Sequence, residues 1–129
     1  VEDEIVVAED IEKTLSAFGY DIVANVISGD EAVKKAEELL PELAIMDISI
    51  EGSRNGLETA KYIHENFGVN VIFLTAYADR KTLEYAKKAE PYGYIVKPFE
   101  ARELIAAIEM AFYKFDLEKQ LKESEAYAR

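Results

Sequence analysis

Short apolar segments rich in β-branched residues alternate along this chain with longer segments of helical periodicity, and this alternation restricts the possible folds most strongly. Four apolar runs are predicted to be strands, over 21–27, 43–46, 69–74 and 94–96. Strands that alternate with helices form parallel sheets, and helices cover both faces of such sheets. The pattern therefore predicts a three-layer α/β domain.

Three segments carry the spacing of amphipathic helices, with apolar residues recurring every three or four positions. Ser28 and Glu31 have the spacing of a capping box before the second of these segments. Gly19 and Gly68 stand where the first and third helices are expected to end. The apolar positions are Ala8, Ile11, Leu15 and Phe18; Ala32, Val33, Ala36, Leu39 and Leu40; and Leu57, Ala60, Ile63 and Phe67.

Composition excludes several classes of protein. A chain of 129 residues suffices for one domain, and 15 Lys+Arg against 26 Asp+Glu give a net charge of −11. Such a charge repels phosphate backbones and anionic lipids, so we expect neither nucleic-acid nor membrane binding. The chain has no cysteine, which excludes disulfides and thiolate sites. No apolar run has the length of a membrane span and no signal peptide opens the sequence, so the expected location is cytoplasmic.

Polar residues close three of the predicted strands. Asp47 follows the run 43–46, Thr75 follows 69–74, and Lys97 follows 94–96. The carboxyl ends of parallel strands meet at one edge of the sheet, where ligands of such folds bind. A carboxylate, a hydroxyl and an ammonium brought together there supply a nucleophile, a hydrogen-bond donor and a cation for a phosphoryl group.

Two acidic pairs, Glu2-Asp3 and Glu9-Asp10, could add a divalent metal to this edge. A helix over 5–18 would place Glu9-Asp10 in mid-helix on the solvent side and Glu2-Asp3 in the loop before the helix. The first pair is therefore the better candidate. Val1 would then be the last residue of a strand whose earlier part precedes this sequence, so we expect the first strand to be truncated.

Together these residues resemble the receiver (phosphoacceptor) domain of two-component response regulators over residues 1 to about 115. The intervals of 44 residues from Asp3 to Asp47, 28 to Thr75 and 22 to Lys97 are similar to those of the family. The resemblance implies a doubly wound, flavodoxin-like sheet of five parallel strands in the order 2-1-3-4-5. The segments that carry it are Val1-Glu2-Asp3, Asp47, Thr75-Ala76 and Tyr94-Ile95-Val96-Lys97-Pro98-Phe99.

The resemblance also implies a role for each site residue. Asp47 would accept a phosphoryl group from a histidine kinase or phosphotransfer protein. Asp3, Asp47 and the backbone carbonyl of Ser49 would ligate Mg²⁺, with Glu2 assisting through water. Lys97 would pair with a phosphoryl oxygen, and Thr75 would donate its hydroxyl to another.

Two further features follow from the same resemblance. Tyr94 would be an aromatic switch that turns inward when Thr75 moves, and a cis peptide would join Lys97 to Pro98. The loop 50–56 differs from the family pattern and is about one residue longer. This loop and the segments around 77–79 and 91–94 resemble receivers attached to sensor kinases or sensory modules.

Two other functions remain open from the residues alone. A phosphatase or phosphotransferase of the haloacid dehalogenase type also uses a strand-end Asp, Thr, Lys and Mg²⁺. That family requires a second acid two positions after the nucleophile, where this chain has Ser49. A receiver-like module that binds partners without being phosphorylated is the other alternative.

The C-terminal segment carries a helical pattern from Glu100 to Arg129 without Gly or Pro. Thirty helical residues would extend about 45 Å, more than a domain of this size needs. We therefore divide the chain into a receiver domain over 1–115 and a helical extension or connector over 116–129. The extension could be a solvated tail, a connector to a sensory or kinase domain, or the seam of a homodimer.

Overall fold

The computed structural model describes residues 1–48, 55–76, 80–88 and 91–127, with the side chains of 81–83, 85 and 124–127 left out. These residues form five helices and three strands, and from the second helix onward the helices and strands alternate. In chain order they are α1 (Ile5–Ala17), α2 (Gly29–Leu39), β1 (Leu43–Asp47), α3 (Gly56–Phe67), β2 (Asn70–Thr75), α4 (Arg80–Lys87), β3 (Gly93–Val96) and α5 (Ala101–Tyr127).

The predicted helix ends are confirmed by their capping contacts. The hydroxyl of Ser28, the N-cap, accepts the backbone N–H of Glu31 as in a capping box, and the Glu31 carboxylate accepts the N–H of Ile27, one residue before the N-cap. Helix α3 ends at Gly68, whose φ of 68° lies in the left-handed region that glycine adopts without strain. Helix α4 was not predicted, because its short segment carries few apolar residues.

The three strands form a parallel sheet in the order β1-β2-β3. The register pairs Asp47 with Leu74 and Thr75 with Val96, so the strands end at the same edge. This order matches the last three strands of the expected 2-1-3-4-5 sheet. The α/β fold with a parallel sheet is thus confirmed.

The strand predicted over 21–27 is wrong, because the described structure assigns no strand there. Among the described residues, one backbone hydrogen bond connects this segment toward the sheet: the N–H of Glu2 donates to the carbonyl of Val26 at 3.1 Å. On its other side, Val1 accepts the N–H of Asp47 at 3.0 Å, so Val1 and Glu2 lie between the segment and β1. Beyond them a cavity of about 410 Å³, lined by residues of both segments, separates 21–26 from β1. A ladder needs an adjacent strand, and across this cavity the segment has none.

The helices cover both faces of the sheet, as the alternation predicted. Helices α2 and α3 pack on one face and α1 and α5 on the other, which makes three layers. Successive residues of a strand point to opposite faces, so β2 serves both cores. Its Val71 and Phe73 join the first cluster, and its Ile72 and Leu74 join the second.

Helix α5 is continuous across residues 115 and 116, and its outer part still contacts the domain. The Tyr20 ring stacks on Phe112 with ring centroids 6.1 Å apart, and the Tyr92 hydroxyl donates a hydrogen bond to Glu118. Burial together with that contact raises the pKa of Tyr92 to about 12. The boundary predicted between 115 and 116 remains a prediction. Over the described residues, no helix combines the length and the apolar character needed to cross a bilayer.

Gly56 positions the start of α3 against the end of β1. Its N–H donates to the carbonyl of Ile48 at 3.2 Å. A Cβ at this position would lie 2.2 Å from the backbone oxygen of Asp47 and 2.8 Å from the Cα of Ile48. Backbone atoms cannot move aside as a side-chain tip can, so only glycine fits this contact.

We expect Gly56→Ala to lower the free energy of unfolding by about 3 kcal/mol or more, because the added methyl forces the end of β1 and α3 apart. Urea denaturation monitored by circular dichroism measures this loss. Gly93→Ala is the matched control, because a Cβ there meets nothing within 4 Å. That variant should be unchanged or up to about 1 kcal/mol more stable. Equal stability of the two variants would contradict the close contact at Gly56.

Candidate functional site

The three polar residues that close the strands lie together at one edge of the sheet. Asp47 and Thr75 are the last residues of β1 and β2, and Lys97 follows β3. The backbone N–H of Lys97 donates to the carbonyl of Thr75 at 2.8 Å. Its Nζ donates to Oδ2 of Asp47 at 2.7 Å. The structure therefore brings this predicted set together.

Two more carboxylates complete an acidic cluster beside Asp47. One oxygen from each of Glu2, Asp3 and Asp47 lies within 4.8 Å of the others. Glu2 is only 2% exposed and Asp47 only 6%, whereas Asp3 is half-buried. The backbone bonds of Val1 and Glu2 to β1 and to Val26 hold this cluster in place. The other acidic pair, Glu9-Asp10, is exposed on α1, as expected.

Lys97 is the cation that balances this cluster. Its Nζ lies 2.8 Å from Oε2 of Glu2, 2.7 Å from Oδ2 of Asp47 and 3.9 Å from Oε1 of Glu4. Burial disfavours the charged ammonium, but the contacts with Asp47 and Glu2 outweigh it and raise the pKa of Lys97. The ammonium therefore stays protonated at neutral pH.

Glu2 is the carboxylate most affected by burial. Loss of solvent raises its pKa above the ordinary value, although the Lys97 ammonium and the N–H of Glu4 oppose this rise. The nearby charge of Asp47 raises it further. The buried carboxylate therefore gains from any added positive charge.

Sequence reasoning missed part of this arrangement. It assigned Glu2 a role through water, but the carboxylate also forms a direct ion pair with Lys97. It did not consider Glu4, which lies near Lys97 although it is 67% exposed. The acidic run 2–4 is visible in the sequence. Only the folded chain shows that Lys97 contacts Glu2 and Glu4 directly.

The structure describes Tyr94, Lys97 and Pro98 among the remaining predicted residues, but not Ser49. The Tyr94 ring is half-buried and stacks on Phe73 with centroids 6.5 Å apart, and burial raises its pKa. The peptide bond between Lys97 and Pro98 is cis, as expected. Ser49 lies outside the described residues.

The cluster suits a hard divalent cation. Its donors are carboxylate oxygens, which Mg²⁺ and Ca²⁺ prefer. Oε2 of Glu2 is buried and, among the described residues, has the Lys97 ammonium at 2.8 Å as its one cation. Three carboxylates against one buried ammonium also leave negative charge at the site. The residues present therefore fit Mg²⁺.

Comparison with known proteins decides the family. The family model described as the response regulator receiver domain matches residues 1–109, which include every described residue of the site. The chain belongs to this family. Members of the family are phosphorylation-based signalling switches, and the receiver fold expected from the sequence is confirmed.

Named relatives agree with this assignment. The receiver domain is 38% identical over 114 residues to the transcriptional regulatory protein PdtaR of Mycobacterium tuberculosis, covering 88% of this chain and 55% of that protein. It is 30% identical over 108 residues to the DNA-binding response regulator MtrA of Mycolicibacterium paratuberculosis, covering 84% and 47%. A solved signal receiver domain of a modulated diguanylate cyclase from Desulfovibrio desulfuricans G20 is 37% identical, with a TM-score of 0.84 and coverage of 91% and 93%.

These relatives differ in length from this chain. The chain spans about half the length of the curated relatives it matches but nearly all of the solved receiver domain. One relative is named as DNA-binding, so the expectation of no nucleic-acid binding is not confirmed for the family.

We expect Lys97→Met to lower the free energy of unfolding at neutral pH by about 3–5 kcal/mol, because two buried carboxylates lose their cation. Removing the cation raises the pKa of Glu2 further, and protonation restores a neutral group. The loss should therefore shrink as the pH falls through that raised pKa. Urea denaturation across a pH series measures this dependence.

Lys35→Met serves as the control for Lys97→Met. Lys35 pairs with Glu38 at 3.5 Å, with both side chains 46% exposed. Such a surface pair contributes less than about 1 kcal/mol. A loss at Lys97 that is no larger than at Lys35, or that does not change with pH, would contradict the charge balance described above.

Proposed function

We propose that this receiver domain accepts a phosphoryl group on Asp47 from a histidine kinase or phosphotransfer protein. The observation that supports this most directly is the Asp47 carboxylate at the end of β1, 2.7 Å from Lys97 and beside two further carboxylates. A carboxylate so placed has a cation beside it for the incoming phosphoryl oxygens. The acidic neighbours provide a place for the metal that phosphoryl transfer uses.

In the proposed reaction, a carboxylate oxygen of Asp47 attacks the phosphorus of a phosphohistidine. The new O–P bond replaces the P–N bond, the imidazole leaves, and an aspartyl phosphate forms. Charge on the transferring group spreads over three oxygens, so positioned cations provide most of the stabilisation. Lys97 would then exchange its contact with the Asp47 carboxylate for one with a phosphoryl oxygen.

Asp3 and Asp47 would hold Mg²⁺ with the backbone carbonyl of Ser49, and Glu2 would assist. When bound, Mg²⁺ supplies positive charge for the phosphoryl oxygens. The three carboxylates lie close together and repel one another. A bound cation would relieve this repulsion, and that relief would favour binding. Lys97 neutralises only part of that charge.

Thr75 and Tyr94 would convert phosphorylation into a change of surface. Thr75 is 2% exposed at the end of β2, where its hydroxyl can turn toward a phosphoryl oxygen on the neighbouring strand end. The Tyr94 ring is half-buried on β3, two residues before the strand ends. Movement of Thr75 would allow this ring to turn inward, which changes the face formed by β3.

The wider proposal follows from this switch. The domain would catalyse only its own phosphorylation and dephosphorylation, in the cytoplasm, and would not turn over small phosphate esters. Its own acidic surface would not bind nucleic acid, whatever a linked domain does. The C-terminal segment 116–129 would connect it to another domain or to a second copy.

We expect incubation with acetyl phosphate and Mg²⁺ to add one phosphoryl group to the chain, as measured by intact mass. Asp47→Asn should abolish the addition, because an amide cannot act as the nucleophile, and chelation of the metal should reduce it strongly. Hydroxylamine should release the group, as expected for an acyl phosphate.

Asp10→Asn is the matched control for Asp47→Asn, because Asp10 is an exposed aspartate of α1. This variant should be phosphorylated as fully as the unmodified chain. Phosphorylation of Asp47→Asn at an unchanged rate would contradict the proposal. No addition to the folded chain, even from a phosphorylated kinase, would favour the alternative of an unphosphorylated interaction module.

We expect Asp3→Asn to weaken Mg²⁺ binding at least about tenfold, because one anionic ligand of the cluster becomes neutral. Isothermal titration calorimetry with Mg²⁺ measures the affinity, and Asp10→Asn again provides the control. An unchanged affinity of Asp3→Asn would remove Asp3 from the metal site without affecting the assignment of Asp47.

A further inference from the structure

Among the described residues, Glu4 is the carboxylate near Lys97 that remains exposed to solvent. The Lys97 ammonium has oxygens of Glu2 and Asp47 at 2.8 and 2.7 Å, and one of Glu4 at 3.9 Å. The side chains of Glu2 and Asp47 are 3% and 9% exposed, whereas that of Glu4 is 67% exposed. Glu4 is therefore the outermost of these three carboxylates, at the boundary between the site and solvent.

The backbone holds Glu4 beside the site. Its N–H donates to Oε1 of Glu2 at 3.1 Å, and the N–H of Glu2 donates to the carbonyl of Val26. Glu4 is also the N-cap residue of α1, and in the described structure its side chain forms no capping hydrogen bond. The start of the helix therefore does not use this carboxylate, whose charge is left facing the solvent side of the site.

The edge that carries Asp47 remains anionic with its cation in place. Among the described residues, four carboxylates lie there against the one ammonium of Lys97. They are those of Glu2, Asp3, Glu4 and Asp47. Mg²⁺ would neutralise only part of the charge that remains. A phosphodonor is itself an anion, so it meets net repulsion as it approaches from solvent.

Glu4 has the least compensated charge of this set. Glu2 and Asp47 contact Lys97 directly, and the proposed metal would lie among the carboxylates that include Asp3. Glu4 is beyond hydrogen-bond distance of the ammonium and is not part of the group whose oxygens lie within 4.8 Å of one another. Repulsion rises in proportion to charge, so a dianionic donor is affected more than a monoanionic one.

We propose that Glu4 determines which phosphodonors reach Asp47, because its charge disfavours small donors that are strongly anionic. A phosphohistidine that a protein presents with a cation opposite Glu4 meets less of this repulsion. The inference rests on the proposed phosphorylation of Asp47 and extends it to the choice of donor. Glu4 acts on the approach of the donor and does not touch the transferring atoms, so it is a specificity residue and not a catalytic one.

Two small donors that differ in charge test this selection. Acetyl phosphate is a dianion at neutral pH, whereas phosphoramidate carries a protonated nitrogen and is a monoanion. At saturating Mg²⁺ and low salt, we expect Glu4→Gln to raise the second-order rate constant with acetyl phosphate about three- to tenfold. The rate constant with phosphoramidate should rise less, so the ratio of the two changes. Time courses of intact mass measure both.

Three controls separate electrostatic repulsion from other effects of the substitution. Glu4→Asp retains the charge and should keep the donor ratio of the unmodified chain. Glu65→Gln removes an exposed carboxylate of α3, which covers the opposite face of the sheet from α1, and should change neither rate. High salt should diminish the effect of Glu4→Gln, because ions screen exposed charges.

Other roles of Glu4 predict different results. If Glu4 only held Lys97 in place, Glu4→Gln would change the rates with both donors equally, because Lys97 would meet the same phosphoryl oxygens in each. If Glu4 were a metal ligand, Glu4→Gln would weaken Mg²⁺ binding and slow phosphorylation at limiting metal. An unchanged donor ratio, or a slower reaction with acetyl phosphate at saturating Mg²⁺, would overturn the proposal.

A thiol at the site tests the same repulsion without phosphorylation. The chain contains no cysteine, so Asp47→Cys introduces a single reactive thiol. In this background, we expect Glu4→Gln to raise the rate of modification by an anionic methanethiosulfonate, relative to that by a neutral one, about twofold or more. The ratio removes any change in the reactivity of the thiol itself. Circular dichroism checks that each variant keeps the fold.

The two experiments together separate this inference from the proposed function. A chain that neither donor phosphorylates, but whose thiol shows the charge effect, would contradict phosphorylation of Asp47 and support the repulsion by Glu4. A chain that is phosphorylated, with a donor ratio and a thiol ratio that Glu4→Gln leaves unchanged, would overturn only the role of Glu4.

Discussion

The parallel register of β1, β2 and β3 is the constraint on which the rest of the structure depends. Pairing Asp47 with Leu74 and Thr75 with Val96 places three strand ends at one edge, so residues 22 to 50 positions apart become neighbours. The same pairing divides alternate residues of β2 between two cores, which is why helices cover both faces. Gly56 continues this constraint beyond the sheet, because α3 begins in contact with the backbone at the end of β1.

Charge balance at that edge connects the fold with the proposed chemistry. A cluster of buried carboxylates without a cation would destabilise the domain, and the ammonium of Lys97 supplies one at 2.7 and 2.8 Å from Asp47 and Glu2. The compensation is incomplete, so a site of this kind favours a metal ion and then a phosphoryl group held between cations. Lys97, which balances the charge of the folded site, is thus also the residue that would stabilise the product of the proposed phosphorylation.

Helix α5 connects the core of the sheet with the C-terminal segment. Its inner face packs beneath β2 and β3, and Tyr92, just before β3, contacts Glu118 farther along the helix. Tyr94, the proposed switch residue, follows Tyr92 by two positions. Any change in β3 therefore lies close to α5.

The sequence by itself determined the class of fold and most of the site. Strand and helix periodicities are local properties, and so are caps such as Ser28 and Gly68, because neighbouring residues alone produce them. The identity and order of Asp47, Thr75 and Lys97 indicated the chemistry, since parallel strands must end at one edge. The sequence also distinguished the acidic pair Glu2-Asp3, which precedes α1, from the exposed pair Glu9-Asp10 on that helix.

Only the tertiary structure decided the features that depend on long-range partners. Segment 21–27 has the composition of a strand but forms no ladder in this structure, because a strand exists only where a neighbour pairs with it and, among the described residues, only Glu2 does so. The direct ion pair between Glu2 and Lys97 and the contact of Glu4 with Lys97 join residues more than 90 positions apart. The backbone approach at Gly56 depends on how α3 packs against the end of β1. The hydrogen bond of Tyr92 to Glu118 likewise joins α5 to the segment before β3, and no local pattern in either segment indicates that contact.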